Sequence, residues 1–211
     1  MHYSVVIVAA GQGSRMGLGY NKVYYRFKDG ESILEKTMNK FLSDEDCCQV
    51  VVVSDTVDFK EQVKLKDERI VCTDGGSSRQ DSVAKGLALV NQDKVMIHDG
   101  ARPYVSLTIL NEVKKALEEH KACCVMVPCK DTIARVREGY IVESLKREEL
   151  MNAQTPQAFD TTLIKECIEK AQVEGVSLTD DCSAVRLYSE EKIKVVMGDY
   201  RNLKITTVED L

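Results

Sequence analysis

The stretch "VVIVAAGQGSRMGLGYNK", Val5 to Lys22, sets four glycines (Gly11, Gly13, Gly17 and Gly19) and two cations, Arg15 and Lys22, directly after an apolar run. The chain as a whole is acidic, with a formal net charge of -5, so a basic glycine-rich loop is a local departure. Glycine lets backbone N–H groups approach a polyphosphate closely, and the cations add charge where phosphates would lie. A plain flexible turn is the competing reading. Spacing excludes two standard phosphate sites. After Gly11 and Gly13 the third glycine of GxGxxG is missing, with Met16 in its place. Lys22 stands between Asn21 and Val23, which does not fit GxxxxGK[ST].

A second cluster, "TDGGSSRQDSVAKGL" from Thr73 to Leu87, ends a strand, turns on Gly75 and Gly76 and opens a helix. Such a turn can hold a planar base against backbone amides, with Arg79 and Ser82 as specific donors. Helix capping by Ser77, Ser78 or Asp81 explains the same residues without a ligand, and both readings stay open. "MIHDGARPYV" then puts Asp99 at the tip of an apolar strand, followed by Gly100 and Arg102. An acid at a strand's carboxyl end beside a phosphate loop is a candidate ligand for a metal-bound nucleotide, so Asp99 is the candidate metal contact. His98, within the strand end, reads as structural.

These residues need a frame that gathers loops at one edge. Apolar, β-branched runs ("YSVVIVAA", "QVVVVS", "ERIVCT", "KVMIHD", "ACCVMVP", "KIKVVMG") alternate with amphipathic ones ("ILEKTMNKFL", "SVAKGLALV", "LTILNEVKKALEEH", "TTLIKECIEKAQVEG"). Continuous apolar strands imply a sheet covered on both faces, and the alternation predicts a doubly wound α/β fold, mostly parallel. Ligands of such sheets sit beyond the carboxyl ends of the strands. From Lys130 to Thr155 the rhythm breaks into polar and β-prone alternation around a turn at Glu138-Gly139, which predicts a projecting hairpin. Its exposed edges call for a second subunit or for charged guards.

With 211 residues, 44% hydrophobic and 30% charged, the chain reads as a single globular domain over 1–211 with an arm at about 130–155. The acidic balance argues against a nucleic-acid or membrane-surface partner, and no segment is long and apolar enough to span a bilayer. Eight cysteines lack CxxC spacing, and several sit in apolar runs. They read as free thiols of a reducing cytoplasm, with no signal peptide ahead of them.

Taken in order, the motifs form a recognisable set: AAGxGxRM at Ala9 to Met16, Lys22, GGxxRxDSV at Gly75 to Val83, and HDGARP at His98 to Pro103. They continue with Asp131-Thr132, QTPQAF at Gln154 to Phe159, TDDxS at Thr179 to Ser183, and NxKIT at Asn202 to Thr206. Over essentially the whole chain this set resembles the cytidylyltransferases of isoprenoid-precursor synthesis, which couple CTP to methylerythritol phosphate with release of pyrophosphate. The resemblance implies a Rossmann-like three-layer α/β/α nucleotidyltransferase fold, Mg²⁺ on the triphosphate, and a homodimer joined through the arm. Ala9, Ala10, Gly11, Gly13 and Ser14 would then line the nucleotide and wrap its phosphates, with Arg15, Lys22 and Lys204 as the catalytic cations. Gly75, Gly76, Arg79 and Ser82 correspond to the cytosine pocket, and Asp99 to the ribose and metal region. Arg102, Thr132, Arg147 and Thr155 correspond to acceptor positions, Thr132 and Arg147 reaching in from the neighbouring subunit's arm.

The resemblance has departures: Asn21 where the family has Pro, predicting a more mobile loop, Val23 where it has Gln, and Arg186 where an acid is common. The nearest alternative is a ribitol-5-phosphate or other pentitol-phosphate cytidylyltransferase, with the same fold and chemistry. A non-catalytic nucleotide-binding protein is the alternative of a different class, and having both Arg15 and Lys22 speaks against it.

Overall fold

The structure is a computed structural model that describes residues 1–11 and 19–211. A seven-stranded sheet runs β3 (Ile70–Thr73), β2 (Cys47–Val53), β1 (Tyr3–Val8), β4 (Lys94–Asp99), β8 (Met151–Asp160), β5 (Ala122–Pro128) and β9 (Lys194–Met197). β8 runs antiparallel to both neighbours, and the other pairings in the sheet are parallel. Side chains alternate across the sheet, as a period of two requires. Val5, Ile7, Val50, Val52 and Met96 face α1 (Ile33–Leu42) and α4 (Leu107–Glu119). Val6, Val51, Val53, Val95 and Ile97 face α3 (Arg79–Ala88), α5 (Thr161–Val173) and α6 (Asp181–Tyr188). The expected α/β sandwich is thus observed, with a short exposed α2 (Thr56–Gln62) at the side.

Capping fixes where helices start. Ser32 and Glu35 exchange bonds at the head of α1: Glu35 N–H donates to Ser32 Oγ at 3.1 Å and Ser32 N–H to Glu35 Oε2 at 2.8 Å. Ser78 caps α3, accepting from Asp81 N–H at 3.0 Å, and Asp180 caps α6, accepting from Ser183 N–H at 2.9 Å.

The predicted hairpin exists as β6 (Ala134–Arg137) and β7 (Tyr140–Ser144), outside the main sheet. Its turn falls at Glu138 (φ 50°) and Gly139 (φ 84°), where glycine tolerates the left-handed backbone. The hairpin falls within the 130–155 span, whose last residues, from Met151 onward, belong to β8. That strand escaped the sequence reading: "MNAQTPQAFD" lacks an apolar run and contains a proline. The proline is accommodated at a bulge. Cys124 faces Gln157 and Met126 faces Ala153, so Gln154, Thr155 and Pro156 together oppose Val125.

Candidate active site

A cleft of about 600 Å³ opens beyond the carboxyl ends of β1 and β4 and the turn into α3. β1 delivers Ala9, Ala10 and Gly11 to its floor. Ala9 N–H donates to the Val53 carbonyl at 2.8 Å, which continues the sheet one step past the strand. Gly13, Ser14 and Arg15 lie outside the described residues. Lys22 lines the cleft and is largely buried. Just before it, Asn21 Nδ2 donates to the Ala9 carbonyl at 2.6 Å, and Asn21 Oδ1 accepts from Val23 N–H at 3.3 Å. Asn21 thereby ties the residue before Lys22 to the end of β1; the loop expected to be more mobile lies, at 12–18, outside the described residues.

On the opposite wall, the Gly75-Gly76 turn is packed so tightly that a Cβ on Gly75 would stand 2.4 Å from the Ala10 Cβ. Ser82 Oγ accepts from Gly76 N–H at 3.0 Å and donates to the Ser78 carbonyl at 2.9 Å. The capping and binding readings are therefore compatible: Ser78 caps the helix while Gly76, Arg79 and Ser82 line the cleft. Arg79 makes a bidentate pair with the buried Asp181 at 2.9 and 2.8 Å. Burial alone would lower the Arg79 guanidinium, but Asp181, Asp99 and Asp180 outweigh it and hold it charged. Asp181 belongs to the TDDxS motif, but its role as the anchor of Arg79 carried no signal in the sequence.

Asp99 ends β4 at the centre. Its Oδ2 meets Lys204 Nζ at 3.1 Å and Arg102 Nε at 3.2 Å, and its Oδ1 faces Arg79 at 3.8 Å. Burial pushes this carboxyl up, yet Lys204, Arg79 and Arg102 together with His98 pull it down to about 2. Asp99 is a fixed anion that arranges cations. Lys204 lines the cleft with its side chain 39% exposed.

Arg102 stands behind Asp99, with Nη1 donating to the Asn202 carbonyl at 2.7 Å. Thr155 is buried beneath the site, its hydroxyl against His98 and the Asp99 N–H, and it is not among the cleft-lining residues. Asn202 was missed as a functional residue. Fully buried, it donates from Nδ2 to the Thr155 carbonyl at 2.9 Å and to Gln154 Oε1 at 3.2 Å. His98 is structural in placement: wholly buried, with desolvation taking its imidazole down to about 4, so it is neutral near pH 7. Thr132 and Arg147 lie on the exposed arm, where Arg147 Nη1 donates to the Lys130 carbonyl at 3.2 Å. All eight cysteines are free thiols, and none lines the cleft.

The cleft is thus lined by Lys22, Arg79 and Lys204 beside the Gly75-Gly76 turn, with the Asp99 carboxylate at its centre held by Lys204, Arg102 and Arg79. Such a set can bind and stabilise phosphates.

Comparison with known proteins agrees with this chemistry. Residues 3–211 match the family model described as 2-C-methyl-D-erythritol 4-phosphate cytidylyltransferase. A relative of that name from Halalkalibacterium halodurans is 42% identical, over 100% of this chain and 94% of its own. One from Clostridioides difficile is 40% identical, over 99% of this chain and 90% of its own. The crystal structure of 4-diphosphocytidyl-2C-methyl-D-erythritol synthase from Anaerococcus prevotii superposes with a TM-score of 0.87 at 32% identity, covering 99% of this chain and 92% of that one. A Francisella tularensis 2-C-methyl-D-erythritol 4-phosphate cytidylyltransferase gives 0.86 at 26% identity, covering 100% and 96%.

Proposed function

The chain belongs to the 2-C-methyl-D-erythritol 4-phosphate cytidylyltransferase family, and from that premise we propose that it transfers CMP from CTP to 2-C-methyl-D-erythritol 4-phosphate. A phosphate oxygen of the acceptor forms a bond to the α-phosphorus of CTP as the bond to the bridging oxygen breaks. Pyrophosphate leaves, and 4-diphosphocytidyl-2-C-methyl-D-erythritol is formed. The nucleophile is a phosphate monoester, mostly dianionic near neutral pH, so no general base has to remove a proton. This accords with a cleft rich in cations, and that observation carries the proposal.

Each group has a defined task in this reading. The turn at Gly75-Gly76 with Arg79 and Ser82 receives the cytosine side, and Ala9 to Gly11 meet the nucleotide. Lys22 and Lys204, with Arg15, stabilise charge on the α-phosphate and the leaving pyrophosphate; positioning and electrostatics are most of what such a transfer requires. Mg²⁺ fits the donor set. Among the described residues no three His, Cys, Asp or Glu gather for a metal, which suits an ion held chiefly by substrate phosphates and one carboxylate. Asp99 is the carboxylate that would hold it, through the oxygen whose contact, 3.8 Å to Arg79, is the longest of the three. Bound there, Mg²⁺ would neutralise triphosphate charge.

The arm joins two copies in this proposal, and its Thr132 and Arg147 complete the acceptor site of the other subunit. Exposed apolar side chains on it, Val136, Tyr140, Ile141 and Val142, support that role. The sheet and arm form one nucleotidyltransferase unit working in a reducing compartment, as the free thiols suggest. Pyrophosphate release with Mg²⁺ and CTP, compared between methylerythritol phosphate and ribitol 5-phosphate, tests the assignment. Turnover with the first acceptor is expected; turnover confined to ribitol 5-phosphate would overturn the acceptor, and none with either would overturn the activity.

A further inference from the structure

Behind Asp99 the interior of the sheet holds a chain of three hydrogen bonds with a single sense. The Asp99 N–H donates to Thr155 Oγ1 at 3.1 Å. Thr155 Oγ1 lies 3.0 Å from His98 Nδ1, and His98 Nε2 lies 3.1 Å from the Arg102 carbonyl oxygen. A carbonyl oxygen only accepts, so the imidazole proton sits on Nε2. Nδ1 is then an acceptor, and the Thr155 hydroxyl has to donate to it. A lone pair of the same hydroxyl is thereby turned to the Asp99 N–H. The ring is wholly buried, with the Phe41 ring edge-on at a centroid distance of 5.0 Å.

The two ends of this chain are the two residues that form an ion pair at the site, Asp99 and Arg102. The turn between them is closed on itself by the Arg102 N–H, which donates to the Asp99 carbonyl at 3.1 Å. His98 therefore braces the turn from inside. We propose that His98 is a positioning residue: its imidazole, protonated on Nε2, grips Thr155 on one side and the Arg102 carbonyl on the other. The Asp99 carboxylate and the Arg102 guanidinium are thereby held where CMP transfer needs them. The inference rests on the cytidylyltransferase reading for the step it serves, while the tautomer is a property of the folded chain alone. Imidazole is suited to this place because it spans both partners with a rigid ring, donor at one end and acceptor at the other.

The test has two parts. Nitrogen NMR of ¹⁵N-histidine-labelled protein at pH 7 reads the tautomer, with His98 told apart from His2 and His120 by the signal that vanishes in His98→Asn. A neutral Nε2–H ring is expected; an Nδ1–H ring would overturn the proposal. Kinetics then compare His98→Asn, which can still accept from Thr155, with His98→Gln, which can still donate to the Arg102 carbonyl. Each breaks one half of the brace. Both are expected to lose about tenfold or more in kcat, since a displacement near 1 Å costs on the order of a hundredfold, with the KM for CTP within about twofold of the parent. Unchanged kcat in both, or CTP affinity falling in step with kcat, would overturn positioning. Should neither variant fold, Thr155→Val leaves the imidazole in place and removes the middle link; the same split between kcat and KM is expected of it, and unchanged kcat would overturn the proposal. An unaltered protein that fails to transfer CMP would end the cytidylyltransferase reading, whereas the tautomer judges the brace irrespective of activity.

Discussion

At the scale of single residues, the site works by fixed charge. Asp99 lies well below the ordinary carboxylate range because Lys204, Arg79 and Arg102 surround it, so it stays ionised at any working pH. Lys204 lines the cleft with a partly exposed side chain that caps no buried partner bidentately, and its removal separates chemistry from stability. Lys204→Gln is expected to cost about 3 kcal/mol in the transition state, roughly a hundredfold in kcat, by analogy with a lost oxyanion donor. Its thermal midpoint should stay within a few degrees, since the side chain is partly exposed. Pyrophosphate-release kinetics beside a melting curve check both. Arg79 is different in kind. Its fork fits Asp181 bidentately, and lysine cannot reproduce that geometry. Arg79→Lys is therefore expected to raise the KM for CTP several-fold and to lower the midpoint.

At the scale of elements, α1 shows how local sequence fixes a start. Burial pushes the Glu35 carboxyl up, but bonds from Ser32 N–H and Lys64 N–H, with the nearby Arg26, bring it below its ordinary value. A depressed carboxyl adds stability that is full above the unfolded-state pKa and is lost as pH falls through the folded one. Glu35→Gln should therefore be less stable by about 1–2 kcal/mol at pH 7. The gap should narrow as urea titrations move below about pH 4.5. Capping signals and apolar runs of this sort made most of the fold legible: β1, β2, β4 and β5 could be read from their runs of valine, isoleucine, methionine and cysteine. β8 could not, because its residues are chosen by what they touch. Gln157 serves Asp180 and Cys182, Thr155 serves His98, and Pro156 sits in a bulge. The cleft-lining glycines, Arg79, Asp99 and Lys204 were legible as types in motifs. Asn202 and Asp181 also stand in quoted motifs, but their roles were not legible, since a buried partner reached from 100 or 102 residues away leaves no local pattern.

At the scale of the whole molecule, the arm separates residues that the proposed reaction needs together. Thr132 and Arg147 are exposed on it, away from the Asp99 cleft that they would complete in a second copy. Arg147→Ala and Lys204→Gln, each strongly impaired alone, should on mixing and re-equilibration regain full activity at about a quarter of the sites, because one site of each hybrid dimer keeps both residues. Failure of the mixture to recover, with hybrids demonstrated by mass, would remove the shared site. Ile141→Asp should shift the sedimenting species toward a single chain.

The position of β8 has a bearing on how the molecule is made. The strand sits between β4 and β5, yet both precede it in the chain. Until residues 151–160 have left the ribosome, β3-β2-β1-β4 and β5 have no pairing between them, and Asp99 has no Thr155 behind it. The latest-made interior strand is the seam that joins the halves, so the sheet closes through contacts between distant parts of the chain, the kind that cost the most loop-closure entropy. A nascent chain halted before Met151 would carry the nucleotide-side loops complete in sequence and still be without a working centre.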